Sequence, residues 1–118
     1  MIDWLDIDGA PLADVPGLSV RGEVDAATAP ALQDALEAAV VASAGAFVID
    51  FTATTFLDSS GVAVLLRTRA LLGREDRSLL LVCPAGAVRE VLGLCGLGDL
   101  FTLFATSADA AAALVRPA

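Results

Sequence analysis

Four residue types are missing from this chain of 118 residues, which has no histidine, lysine, tyrosine or asparagine. Without histidine the chain lacks the imidazole base of a Ser-His-Asp triad. Without lysine it has neither a Walker-type phosphate loop nor the amine that forms a Schiff base. These absences exclude three common kinds of enzyme site before any motif is considered.

Positive charge is also scarce. Seven arginines oppose 15 acidic residues, so the formal net charge is -8 and the isoelectric point is near 4.1. Such a balance disfavours electrostatic binding of nucleic acid. An acidic surface can instead attract a basic face of a protein partner. The same charge also keeps a chain that is 57% hydrophobic in solution, and both interpretations stay open.

The sequence does not predict a membrane-spanning or secretory segment. Its longest uncharged apolar stretch, residues 38–49, is well short of the ~20 residues that a bilayer span needs. The amino terminus carries three aspartates and no early cation, which is unlike a secretory signal. We therefore expect a cytoplasmic protein, with residues 1–118 forming one domain, since domains typically have ~100–150 residues.

Cysteine is limited to Cys83 and Cys95, both in apolar runs. Their spacing is neither a CxxC pair nor a set of zinc ligands. It predicts two buried, reduced thiols. No metal site and no cofactor is expected.

Glycine and proline divide the chain into alternating strand and helix patterns. Strands are predicted at residues 2–7, 17–24, 46–51, 77–82 and 100–104, and helices at 25–44, 60–72, 87–95 and 108–115. Thr28 is the predicted N-cap of the first helix, and Gly45 its C-cap. The fold class is α/β, a mixed sheet of about four to five strands packed with about four helices, in the order β-β-α-β-α-β-α-β-α.

The apolar run of the central strand is predicted to supply much of the core. Phe47, Val48, Ile49 and Phe51 should be mostly buried. Asp50 should lie near a strand end or accept hydrogen bonds, because an unpaired buried carboxylate costs several kcal/mol. Further along, Phe56 and Leu57 are expected in the core, with a role as interface anchors as the alternative.

The motif Asp58-Ser59-Ser60-Gly61 follows this strand after a polar connection and opens a helix. A hydroxyl at the start of a helix is open to a kinase, and the free N–H groups and dipole there favour a phosphate. Gly61 would let the backbone come close to a partner or to the phosphate. The alternative is that Asp58, Ser59 and Ser60 only cap the helix.

Three segments in this order resemble a stand-alone bacterial STAS domain of the anti-sigma factor antagonist type, and the resemblance covers nearly the whole chain. They are GEVDAATAPAL at 22–32, FVIDFTATTFLDSSGVAVLL at 47–66 and GLCGLGDLF at 93–101. The resemblance implies a binding switch in transcription regulation and the stress response, not an enzyme. It implies that a partner, both anti-sigma factor and serine kinase, phosphorylates Ser59. The unphosphorylated form would bind that partner and release the sigma factor, and a phosphatase would restore binding.

The resemblance also implies a partner surface, formed by Asp25, Thr28, Asp58, Ser59, Ser60 and Gly61. For Asp25 an equal alternative is a charge that favours the helix dipole. A second function that the resemblance allows is a cytoplasmic transporter subunit or a scaffold of a signalling complex, but the Asp-Ser context of Ser59 favours the antagonist. A serine hydrolase using Ser59 would lack both a base and a GxSxG turn.

Overall fold

The computed structural model describes residues 5–9, 12 and 14–114. Six strands form one sheet, and four helices pack against it. The strands are β1 Leu5–Gly9, β2 Gly17–Val24, β3 Phe47–Asp50, β4 Thr54–Leu57, β5 Leu79–Val82 and β6 Thr102–Phe104. The helices are α1 Ala29–Val41, α2 Ser59–Gly73, α3 Ala87–Leu94 and α4 Ser107–Leu114.

The sheet is mixed, as predicted. Its order is β1-β2-β3-β5-β6, with β1 antiparallel to β2 and the other neighbours parallel. Strand β4 also pairs with β2 in parallel, through the half of β2 that β3 leaves free. Strands β3 and β4 therefore behave as one strand that is interrupted at residues 51–53 and follows β2 along its length.

Strand β4 corrects the predicted element order, since residues 52–57 were expected to be a polar connection. Its threonines bind the neighbouring backbone: Thr54 Oγ1 donates to Val20 O at 2.7 Å, and Thr55 Oγ1 donates to Gly22 O at 3.2 Å. Leu57 is buried as predicted, but Phe56 is 45% exposed. The core assignment of Phe56 was wrong because β4 turns this side chain away from the helices that cover Leu57.

Two apolar clusters lie on opposite faces of the sheet. The larger one joins Phe47 and Ile49 to residues of α1, α2 and α3. The smaller one joins Val48 to Ala110 of α4. The alternation along β3 is that of a strand covered on both faces. The predicted burial of Phe47, Val48, Ile49 and Phe51 is confirmed, with every exposure at 2% or less.

Asp50 confirms the expectation for a charged residue in that strand. It is the last residue of β3, and its Oδ1 accepts hydrogen bonds from Thr52 N at 2.9 Å and Thr52 Oγ1 at 2.6 Å. The turn that ends β3 thus satisfies the carboxylate locally.

Three other expectations need correction. Helix α1 is shorter than residues 25–44, and its C-cap is Ala42 rather than Gly45, which follows in the loop with φ of 79°. Thr28 is the N-cap, as predicted, but the side chain that accepts hydrogen bonds at this end of the helix is that of Asp25.

The prediction that both cysteines are buried is correct for Cys83 only. Cys95 is exposed because it follows α3 on a turn.

Parts of two predicted elements, residues 2–4 of the first strand and Val115 of the last helix, lie outside the described residues. Within the described ranges, no helix is long and apolar enough to cross a membrane.

Candidate functional site

Two loops leave the sheet side by side at the carboxyl ends of β2 and β4. The last residues of these strands, Val24 and Leu57, are register partners. A hydrogen bond of 3.1 Å from Asp58 N to Val24 O extends this pairing past the end of β4. Asp25 directly follows β2, and Asp58 directly follows β4. The structure therefore brings together the two aspartates that were predicted to belong to one partner surface.

The second loop presents Ser59 at the start of α2. Asp58 is the N-cap of this helix, and its Oδ1 accepts a hydrogen bond from Ser60 N at 2.8 Å. Ser59 is the first helical residue and is exposed, while Ser60 is half-buried. The capping alternative is therefore met by Asp58, and the Ser59 side chain remains accessible.

The first loop is fixed by Asp25 and Thr28. Asp25 Oδ1 accepts hydrogen bonds from Ala27 N at 2.9 Å and Thr28 N at 3.0 Å. Thr28 Oγ1 donates to Glu23 O at 2.7 Å and accepts from Asp25 N at 3.0 Å. Thr28 is 7% exposed, so its contribution to this surface is to hold the loop that carries Asp25.

Gly61 brings α2 close to the sheet. A Cβ at this position would lie 2.7 Å from Leu57 Cγ and 2.9 Å from Val24 Cγ1. Such distances are too short for real side chains, so a larger residue would push α2 away from both strands. The close approach expected at Gly61 is thus made inside the domain, where it brings the start of α2 down onto the two strand ends.

A groove between α1 and α2 opens beside this site. It has a volume of about 420 Å³. Small apolar side chains and a few polar ones line it: Ala26, Ala29, Pro30, Gln33, Asp34, Ser60, Ala63, Val64 and Arg67. Sequence reasoning missed Gln33 as a groove residue. No local pattern marks it, because the groove exists only where one helix packs against another.

The arrangement can present a hydroxyl next to two carboxylates but offers that hydroxyl no imidazole, since the chain has no histidine. In the part of the chain that the structure describes, no three His, Cys, Asp or Glu side chains cluster as metal ligands would.

Several known proteins are similar to this chain in sequence and in fold. The family model described as STAS domain matches residues 12–110. The anti-sigma-F factor antagonist RsfB of Mycobacterium tuberculosis is 37% identical over 108 residues, which cover 92% of this chain and 88% of that protein. The anti-sigma-B factor antagonist of Listeria monocytogenes is 30% identical over 84 residues, or 71% of this chain and 74% of that protein.

A solved structure extends the likeness to three dimensions. The crystal structure of an anti-sigma factor antagonist from Mycobacterium paratuberculosis superimposes with a TM-score of 0.87 at 37% identity, and the match covers 97% of both chains. The similarity therefore includes both loops of the candidate site together with the sheet that positions them.

Proposed function

The chain belongs to the STAS domain family and, by homology, to its anti-sigma factor antagonists, and we propose that Ser59 is the phosphorylation switch of this molecule. Antagonists of this family are regulatory binding proteins rather than enzymes. In our proposal the unphosphorylated chain binds an anti-sigma factor that is also a serine kinase. Binding releases the sigma factor, and phosphorylation of Ser59 ends it.

The observation that carries this proposal is the exposure of Ser59 as the first residue of α2, with capping already supplied by Asp58. A kinase can reach the hydroxyl without unfolding the helix. Because the first turn of a helix has N–H groups without intrahelical acceptors and a favourable dipole, a phosphate can be held there. Modification then changes the surface and leaves the fold intact.

The charges around Ser59 explain how the phosphate would act. It adds roughly −1.5 to −2 charge at neutral pH. Asp58 precedes Ser59 directly, and Asp25 lies on the neighbouring loop. In the complex, the added charge would have to be desolvated next to these carboxylates, which weakens binding. A phosphatase that removes the group would restore the binding surface.

Intact-mass measurement tests the acceptor. The chain is incubated with ATP and the purified cognate anti-sigma kinase, alongside the variants Ser59→Ala and Ser60→Ala. We expect one phosphate on the wild type and on Ser60→Ala, and none on Ser59→Ala. Ser60→Ala is the matched control because it removes a hydroxyl from the same turn. Phosphorylation of Ser59→Ala together with an unmodified Ser60→Ala would move the acceptor by one residue.

A further inference from the structure

The groove between α1 and α2 extends along both helices beyond the part that lies beside Ser60. A second cavity of about 300 Å³ continues it along the two helices and shares Gln33 and Arg67 with the first. From this continuous groove, we propose that it is a second recognition site, which takes up a polypeptide segment of the anti-sigma partner. The inference rests on the proposed function and extends the partner surface beyond the loops around Ser59.

The two walls of the groove carry opposite charges. The wall formed by α1 has Asp34 and Glu37, and the wall formed by α2 and its C-cap has Arg67 and Arg74. These charges do not pair across the gap: in the described ranges the ion pair that forms is Arg77 with Glu75, outside the groove. The groove therefore offers a complementary site to a segment with cationic groups towards α1 and anionic groups towards α2.

Gln33 adds a polar group that calls for a donor. Its Nε2 donates to Glu37 Oε2 at 2.9 Å. Since a carboxylate only accepts, this bond fixes which end of the amide is nitrogen. The remaining atom, Oε1, is buried and meets no donor among the described residues. An unsatisfied buried acceptor is costly.

The amide of Gln33 can turn towards a ligand at low cost. Its terminal torsion is soft, and the bond that it would give up, to Glu37, is exposed. Rotation lets Oε1 accept from an N–H group of a segment lying in the groove. Gln33 thus supplies a hydrogen-bond acceptor on the α1 wall, at the place where the two cavities meet.

Position identifies the anti-sigma partner as the occupant. Ser60 lines the mouth of the groove and directly follows Ser59. A kinase that reaches the Ser59 hydroxyl is thereby placed beside this mouth, where a segment of the same protein can enter the groove. The floor at the mouth consists of small residues, Ala29 and Ala63 among them, which leave room for side chains of the partner.

One variant fills the groove with a larger side chain, and a second variant reverses the charge of one wall. Ala63→Leu places three extra carbons in the groove, and Arg67→Glu turns its basic wall acidic. Ala38→Leu is the matched control, because Ala38 is an exposed alanine of α1 that does not line the groove. Binding of the purified cognate anti-sigma factor is measured by calorimetry, and folding by thermal melting.

We expect Ala63→Leu and Arg67→Glu each to weaken binding by tenfold or more, while Ala38→Leu binds like the wild type. Unchanged affinity of both groove variants would overturn the groove assignment and leave the Ser59 switch standing. If Ala63→Leu melts early, Arg67→Glu alone decides. Wild-type self-association that Ala63→Leu abolishes, with unchanged partner binding, would also overturn the proposal, because the occupant would be a second copy. No binding by the wild type would instead contradict the proposed function itself.

Discussion

The two ends of the parallel strands use polar side chains in opposite ways. At the carboxyl ends of β2 and β4, Asp25 and Asp58 each bind nearby backbone N–H groups through Oδ1, beside an exposed Ser59. At the amino end of β5, Arg77 is enclosed, with a side chain that is 6% exposed. At the first end the Ser59 side chain between the fixed loops is exposed, whereas at the second the charged side chain itself is enclosed.

The enclosed end satisfies the last turn of α1. Arg77 donates to Val40 O at 2.9 Å and to Gly45 O at 2.8 Å, and its Nη2 donates to Ser43 Oγ at 2.9 Å. Carbonyls at the end of a helix lack intrahelical donors, and here a side chain from the loop before β5, far away in sequence, supplies one. The comparison teaches that the two ends use charge differently: at one end a nearly buried cation ties a helix end to the start of β5, and at the other the carboxylates fix two loops beside an exposed hydroxyl.

Arg77→Met tests this difference with the largest expected effect. Methionine keeps the apolar stem but removes three donor nitrogens, so Gly45 O and Ser43 Oγ lose the hydrogen bonds from Arg77, and Val40 O keeps only those from Ser43. We expect the free energy of unfolding to fall by about 3 kcal/mol, because three hydrogen bonds from a charged and largely buried donor group are lost at roughly 1 kcal/mol each. Chemical denaturation followed by circular dichroism measures the loss.

Arg74→Met is the control for that experiment, since Arg74 is exposed in the same connection and its loss should cost less than about 0.5 kcal/mol. Below its melting temperature, Arg77→Met should still bind the anti-sigma factor with wild-type affinity. If stability is unchanged, or if binding falls along with it, the two ends are not separate.

Ser59→Asp probes the open end. The helix dipole tolerates the new charge, at roughly 0.3–1 kcal/mol, so the melting temperature should move little. In the complex the charge must be desolvated near Asp58 and Asp25, so affinity for the anti-sigma factor should fall by about a hundredfold or more, roughly 2.7 kcal/mol. Calorimetry on wild type, Ser59→Ala and Ser59→Asp measures it. Equal affinities for all three would make Ser59 a structural residue only.

A smaller effect on stability is expected from Cys83. This residue directly follows β5 at the carboxyl end of the sheet, but its side chain is buried. Burial raises the pKa of its thiol from 9.0 to about 11, which Asp50 reinforces and Arg89 opposes. Below pH 9 the thiol is protonated in both the folded and the unfolded chain. Between pH 9 and 11 the unfolded chain releases the proton first, so stability falls as pH rises, by about 1.4 kcal/mol at pH 10.

The absence of lysine and tyrosine makes this measurement clean, because few other groups titrate in that range. Denaturation at pH 8 and pH 10 is compared in a Cys95→Ala background with and without Cys83→Ala. The decrease should disappear with Cys83. An equal decrease in both proteins would show that the thiol is not enclosed and that the carboxyl end is open beyond the loops after β2 and β4.

Local patterns predicted much of the fold and the position of the site. Strand β2 has the predicted bounds, and the apolar run of β3 is buried on both faces. Asp58-Ser59 indicated a helix start, and the structure places it there. These features depend on alternation, helical spacing and cap chemistry, all of which lie within a few consecutive residues.

The tertiary structure alone decided which distant residues meet. The bond from Asp58 N to Val24 O joins two segments far apart in sequence, and it depends on the register of β4 along β2, a strand that composition did not mark. The same register exposes Phe56, and helix packing creates the groove at Gln33. Sequence by itself determined the strand and helix order around Ser59, apart from β4. Pairing and packing energies between non-neighbouring segments determined the surface around Ser59, because these energies depend on positions in space that local propensity does not encode.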